Sequence, residues 1–256
     1  MSPISIIIPC YNGAATIARA LQSCLAQSAQ SDIAQIFVVD DGSTDASASI
    51  VRTYAMRDDR IRLLQTVSNG GAARARNWAA LHASTPLIAF LDADDEYLPG
   101  ALAAAQAHLA QRPQDAAVRL DVEFAGFPSR LTQHADFERI TAILSNTVPS
   151  SLVIRRGVYL SLGGFPMDEV FRRHGGEDGA LSWVLSEVFA QSRLSDAKRV
   201  RMHYHDGIHA ERFMNIQMGF TQADPVAGEQ TMRASQAYLD AAAANLRQLR
   251  TLARSA

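Results

Sequence analysis

The sequence predicts an α/β protein: a doubly wound, mostly parallel sheet with helices on both faces, followed by a helical extension at the C-terminus. Three observations carry this prediction. Through the first hundred residues, short and nearly continuous apolar runs alternate with longer helical patterns, and parallel strands covered on both faces read as such runs. The order strand, helix, strand, helix implies right-handed crossovers. Acidic or glycine-bearing clusters follow the strand ends, which is where open α/β sheets hold their ligands.

The elements follow in order. "ISIIIP" (4–9) is the first strand, and Ile17, Leu21, Cys24 and Leu25 recur after it at helical spacing. "IFVVD" (36–40) and "IRLLQ" (61–65) are the next strands, then a helix over roughly 71–84 and the strand "PLIAFLD" (86–92). Beyond about residue 112 the spacing predicts strands at 117–124 and 150–156, with helices near 136–145 and 179–190. "RVRMHYH" (199–205) alternates like a half-exposed strand. From residue 229 the chain is alanine-rich and strongly helical. Leu239, Ala242, Leu246, Leu249 and Ala253 form one stripe there, and Arg247, Arg250 and Arg254 form another.

Composition narrows the function. The chain has 256 residues with 24 Lys and Arg against 26 Asp and Glu, a net charge of −2 that gives no electrostatic case for nucleic acid. Its two cysteines, Cys10 and Cys24, read as buried thiols of a reducing compartment. With no run of about 18 apolar residues and no basic segment leading an N-terminal apolar stretch, the expectation is a cytoplasmic protein, at most peripheral to a membrane. An arginine stripe on the C-terminal helix offers an anionic membrane a docking face. The alternative is packing on the catalytic core or on a second subunit of a homodimer, which the alanines of its apolar stripe favour.

Four clusters carry chemistry. "VVDDGSTD" puts Asp40 and Asp41 at a strand end. Gly42 reads as a turn residue, and Ser43, Thr44 or Asp45 as a helix cap. "SNGGAARARNWA" opens a helix with Gly70 and Gly71 and sets Arg74 and Arg76 in its first turns, where guanidinium groups can pair with phosphate oxygens. "LIAFLDADDEY" ends an apolar run in Asp92, Asp94 and Asp95. Acids this close repel one another, and closely set oxygen ligands suit Mg²⁺ or Mn²⁺. "HGGEDGALSW" starts a helix with Glu177 and Asp178. Neither a P-loop nor GxGxxG occurs, so a kinase or a dinucleotide dehydrogenase is poorly supported.

These stretches, with "SIIIPCYNGAATIARALQSCLAQ", "SSLVIRRGVYLSLGGF" and "GGEDGALSWVL", resemble the family 2 glycosyltransferases of GT-A fold over roughly residues 3–190. The resemblance implies inverting transfer of a sugar from a nucleotide-diphosphate donor, most often a UDP-sugar, with a divalent cation. It implies a saccharide or lipid-linked saccharide acceptor of the kind used in surface polysaccharide assembly. On this reading residues 1–228 are one domain, 1–100 its nucleotide-binding half and 101–228 its acceptor-binding half, with 229–256 a C-terminal helix. Pro9 and Tyr11 would line the base pocket, Asp41 would read the base and Asp92 would approach the ribose. Asp94 would hold the metal, with Asp95 beside it as a supporting or alternative ligand. Asp178 would be the base that accepts the proton of the acceptor hydroxyl, and Gly176 and Glu177 would meet sugar or acceptor.

His203 and His205 share one face if residues 199–205 are a strand, and neutral imidazole is a competent Mn²⁺ ligand. His203 is favoured because it follows an apolar residue at the strand end. Many relatives have an arginine a few residues past the "ED" pair, where this chain has "ALSWVLSE" with Trp183. The alternatives are a nucleotidyltransferase, which usually has a glycine-rich basic N-terminal loop that "PCYNGAATI" lacks, and a non-catalytic nucleotide-sugar binder.

Overall fold

The computed structural model describes residues 2–254, with side chains as far as Gln248. Eight strands form one sheet: β1 (Ile4–Cys10), β2 (Ile33–Asp40), β3 (Ile61–Gln65), β4 (Leu87–Phe90), β5 (Glu96–Tyr97), β6 (Asp115–Ala125), β7 (Leu152–Arg155) and β8 (Ala190–His203). Their spatial order is β3-β2-β1-β4-β7-β6-β8-β5. β3, β2, β1 and β4 run parallel, β7 is antiparallel to both β4 and β6, and β8 runs parallel to β6. The chain winds outward from β1 to β3 and then crosses to β4 on β1's other side. That reversal opens a crevice between the carboxyl ends of β1 and β4, where doubly wound sheets bind ligands.

Period-two alternation explains why β1 lies at the centre. Ile4, Ile6 and Ile8 enter one core with the helices Ile17–Ala26 and Ala101–Gln111. Ile7 enters the other, with the helices Ala72–His82 and Glu177–Val188. All four isoleucines are fully buried, each contributing about 1.5–3 kcal/mol. A strand apolar on both faces belongs only in the middle of such a sandwich.

Boundaries differ from the expectations in instructive places. "SSLVIRR" splits: Pro149–Ser151 makes a 3-10 turn, β7 is only Leu152–Arg155, and a helix starts at Arg156. The strand expected at 199–205 begins at Ala190 and stops at His203, so His205 lies in the following turn. The two-residue β5 pairs with β8 through Glu96–Arg201 and Tyr97–Val200 and has no signal of its own in the sequence.

The last helix, Pro225–Arg254, starts earlier than expected. Pro225 suits a first helical turn, and the Asp224 carboxylate accepts the amides of Val226 and Ala227. Ala242 and Leu246 are buried in the second core, and Leu239 packs against it. The helix lies against the helices Arg156–Ser161, Glu169–His174 and Glu177–Val188, so the described part of its apolar stripe is spent on the body of the protein. The side chains of Leu249, Arg250, Ala253 and Arg254 lie outside the described residues.

Candidate active site

The loops after β1 and β2 are joined side chain to backbone. The Asn12 side-chain oxygen accepts the Thr44 amide at 2.9 Å, and the Asn12 amide donates to Ser43 Oγ at 2.9 Å. Gly13 donates to Ser47 Oγ and Ala14 to Asp45 Oδ2. Asn12 has φ 49°, a left-handed conformation that asparagine tolerates better than most residues. Asp45 also accepts the hydroxyl of Ser47, which, with backbone amides, holds its carboxyl below the usual range. The buried Asp40 accepts the Ser43 amide and the Gln65 side chain.

Asp41 is buried and accepts the Thr66 hydroxyl at 2.8 Å and the Gly70 and Gly71 amides at 2.8 and 2.7 Å. A carboxylate has about four lone-pair positions, so one remains open. Pro9 is buried within β1, whereas Tyr11 is 52% exposed beside it. Gly71, at φ 90°, turns the chain into the helix Ala72–His82.

The two arginines of that helix diverge. Arg74 is exposed, but Arg76 is 4% exposed, and its nearest charged partners are carboxylates of the protein. Arg76 Nη2 donates to Asp92 Oδ1 at 2.5 Å, and Nη1 lies 3.8 Å from Glu177 Oε1. The guanidinium also covers the Phe165 ring at 5.1 Å. Burial disfavours its charge, yet Asp92 and Glu177 more than offset this and raise its pKa. Arg76 therefore ties the turn after β4 to the start of the helix Glu177–Val188.

The three acids after β4 point in different directions. Asp95 is 2% exposed and turned inward, accepting Ser150 Oγ at 2.6 Å, while Ser150 accepts the Asp92 amide. Burial, then the charges of Asp92 and Asp94, push the Asp95 carboxyl well above its ordinary value. Asp94 faces out, its side chain 35% exposed, and burial followed by the Asp92 charge raises its pKa too. The Asp94 carbonyl accepts a bond from Arg19 that fixes the turn.

β5 explains how the histidines arrive. Its pairing with β8 sets Glu96 against the end of that strand, and His203 Nε2 meets Glu96 Oε1 at 2.6 Å. His205, two residues on and beyond the strand, reaches Asp94 Oδ2 at 2.9 Å. The expected common face therefore gives way to two separate pairs, and it is His205 rather than His203 that meets Asp94. No group of three or more His, Cys, Asp or Glu side chains converges as a metal cage among the described residues.

Through Arg76 the turn that carries these acids is joined to the start of the helix Glu177–Val188. Gly175 and Gly176 have φ 77° and 99°, and a Cβ on Gly176 would come within 3.0 Å of Thr231 in the C-terminal helix. Only glycine fits there without strain. Asp178 accepts the Gly179 amide at 2.7 Å, and its carbonyl accepts Ser182 Oγ. Burial and the neighbouring Glu177 charge raise the Asp178 pKa to about 6. A carboxylate tuned to that range is ionised at neutral pH yet basic enough to accept a proton.

Ser150, Glu96 and Arg119 were not anticipated. The first two carry no local signal, since a long-range strand pairing and a 3-10 turn bring them in. Arg119 did have one: it is an arginine inside the apolar run "AAVRLDV". It is 2% exposed and donates to the carbonyls of Thr147 and Val148 and to the hydroxyls of Ser151 and Ser182.

The strand order and the acids at the switch point are those of a GT-A fold. A profile of glycosyl transferase family 2 matches residues 5–155, more than half of the chain, and the protein belongs to that family. It is 44% identical over 99 residues to the succinoglycan biosynthesis protein ExoU of Rhizobium meliloti, covering 39% of this chain and 28% of that one. It is 38% identical over 94 residues to the putative teichuronic acid biosynthesis glycosyltransferase TuaG of Bacillus subtilis, covering 37% and 36%. These matches thus span about a third of the curated relatives' length.

Among solved structures, S. aureus TarS in complex with UDP-GlcNAc aligns with a TM-score of 0.67 at 21% identity, covering 92% of this chain and 66% of that one. The mannosyltransferase PcManGT of Pyrobaculum calidifontis, in complex with GDP-Man and Mn²⁺, gives 0.64 at 21%, covering 97% and 75%. Both share the fold.

Proposed function

We propose that this protein is an inverting glycosyltransferase that moves a sugar from a nucleotide-diphosphate donor, a UDP-sugar, to a hydroxyl of a saccharide or lipid-linked saccharide in polysaccharide assembly. The observation that carries the reading is the Arg76 bridge from Asp92 to Glu177, which brings the acidic turn after β4, with Asp94, to the helix start that carries Asp178. Support comes from the family, from the roles named for ExoU and TuaG, and from the nucleotide sugars bound by the two structural neighbours.

The residues present fit a divalent cation. Asp94 offers a carboxylate and His205 an imidazole beside it, a donor set suited to Mn²⁺, and the crowded acids carry negative charge that a cation would relieve. Asp95, turned inward on Ser150, would support Asp94 rather than ligate. When bound, the cation neutralises the charge that develops on the departing diphosphate.

The chain does the rest. Tyr11 and Pro9 flank the base and Asp41 accepts its imide through the lone pair left free. Asp178 takes the acceptor's proton as its oxygen attacks the anomeric carbon from the face opposite the diphosphate, which inverts the configuration. Arg76 holds Asp92 and Glu177 at fixed spacing, so the donor turn and the base helix keep their register. Orienting two reactants in this way can supply several kcal/mol of the barrier.

The reading is tested by incubating the full chain with a panel of UDP-sugars and Mn²⁺ and following UDP release and the anomeric proton by NMR. Release of UDP with an inverted anomer supports it. Failure of every nucleotide sugar either to bind or to react would overturn it.

A further inference from the structure

A cavity of about 400 Å³ lies one turn along the helix Glu177–Val188 from Asp178, between that helix and the start of β8. Its volume is in the ~300–1,000 Å³ range of ligand sites. Gly179, Ser182, Trp183 and Ser186 line it at spacings of three and four, so one helical face forms its wall. Arg119 forms its floor, and Gln191 and Arg193 of β8 close the far side. Much of this lining lies beyond residue 155, where the family match ends.

Two features set the cavity apart from a packing gap. The first is charge: it is lined by two arginines and by no acidic side chain. Arg193 is neutralised by Asp121. Arg119 binds only carbonyls and hydroxyls, with no carboxylate within ion-pair distance among the described residues. The Asp178 carboxylate acts on it only at longer range, and a buried guanidinium with no carboxylate in contact is expensive. Burial lowers the Arg119 pKa to about 10, so it remains charged at neutral pH.

The second is unmet hydrogen bonding. Arg119 Nε, Arg193 Nε and Gln191 Oε1 are buried without partners among the described residues, and buried polar atoms normally have one. Two need an acceptor and one needs a donor. Gln191 and Arg193 are half-buried and can rotate toward a ligand, while Arg119 is a fixed charge beneath them. A ligand that meets Gln191 and Arg193 over the Arg119 charge carries an anionic oxygen and a hydroxyl, with an apolar ring face to lie on Trp183.

We infer that this cavity is a subsite for an acid-bearing sugar, a uronate-type residue of the acceptor chain next to the one whose hydroxyl reacts. The inference rests on the glycosyltransferase reading for its placement beside Asp178 and deepens it by naming the acceptor's chemistry. Guanidinium groups favour carboxylates by charge and by planar geometry, and a helix turn rises about 5.4 Å, which keeps the sugar close to the base. A neutral sugar would bring no carboxylate into contact with Arg119.

The test uses Trp183 as reporter in the full chain carrying Trp78→Phe, which removes the only other tryptophan. Methyl β-glucuronide and methyl β-glucoside are titrated while fluorescence is recorded. The glucuronide should bind at least tenfold more tightly, and Arg119→Met should abolish that preference. Because Arg119 also anchors two carbonyls, a second variant, Ser186→Leu, fills the exposed mouth without touching the core; it should remove binding of both glycosides. Equal affinity for the two glycosides, or a preference unchanged in folded Ser186→Leu, overturns the inference. UDP is titrated into the same preparations. Retained UDP binding without glucuronide preference removes the subsite alone, whereas glucuronide preference without UDP binding removes the donor-site reading and leaves the cavity as a binding site.

Discussion

The acids that follow β2 and those that follow β4 occupy the same edge of one sheet, and in the sequence "VVDDGSTD" and "FLDADD" look alike. In the fold they behave in opposite ways. Asp40, Asp41 and Asp45 are held by amides, hydroxyls and a glutamine, with one position left on Asp41, and Asp45 is held below the ordinary carboxylate range. Asp94 and Asp95 are raised above it because burial and the charges crowded after β4 outweigh the few bonds they accept, and Asp178 is raised by burial and by Glu177. The first cluster builds loops. The second stores unfavourable charge, which is what a site awaiting a cation and an acceptor proton requires.

The comparison breaks most sharply at Asp178. Asp178→Asn should cut transfer by about 10²–10⁴-fold while UDP-sugar affinity stays within a fewfold, because the base acts on the acceptor. Wild-type activity should show an acidic limb near pH 6, since below that pH the carboxyl is protonated and cannot accept a proton. A rate-against-pH profile of kcat/KM checks both statements, and transfer at the wild-type rate in the variant would remove Asp178 from the mechanism.

The next effect concerns the two histidines. His205→Ala should weaken Mn²⁺ binding in the presence of UDP by about tenfold or more. His203→Ala, whose ring is engaged by Glu96, should change it little. Competition for Mn²⁺ with a fluorescent chelator measures both, and the reverse ranking would move the ligand to β8.

A smaller effect sharpens the contrast between the clusters through stability alone. Asp41→Asn replaces an acceptor of three hydrogen bonds and should cost about 1–3 kcal/mol, or roughly 2–12 °C in Tm for a domain of this size. Asp178→Asn should do the opposite at neutral pH. A carboxyl whose folded pKa is raised contributes stability that is full below its unfolded pKa of about 3.9. That stability is lost as pH rises through the folded value of about 6. The variant should therefore gain Tm over wild type above pH 6 and show no gain near pH 4, by thermal unfolding across that range.

Much of the fold was legible in the sequence because its central strands are apolar on both faces. Ile61–Gln65 was anticipated to the residue, and β1, β2 and β4 to within a few. What escaped depended on distant partners. β5 is two residues long and exists only by pairing with β8, so its role in bringing His205 to Asp94 has no local trace. Arg76 read as a phosphate-facing helix residue because an arginine at a helix entrance is usually exposed; the Asp92 and Glu177 that bury it are 16 and 101 positions away. Periodicity reports which face is buried, and cannot report which charge is buried with which.

The central claim, that the acids after β4 hold a cation and a diphosphate, is tested most directly by thermal unfolding of wild type and Asp94→Asn with UDP, in Mn²⁺ and in EDTA. A ligand at 100 times its Kd stabilises the native state by about 2.7 kcal/mol, a rise in Tm of several degrees. The account predicts that rise for wild type with UDP and Mn²⁺, a smaller one in EDTA, and no Mn²⁺-dependent part in Asp94→Asn, whose unliganded Tm stays near wild type. A Mn²⁺-dependent shift of full size in Asp94→Asn would contradict it.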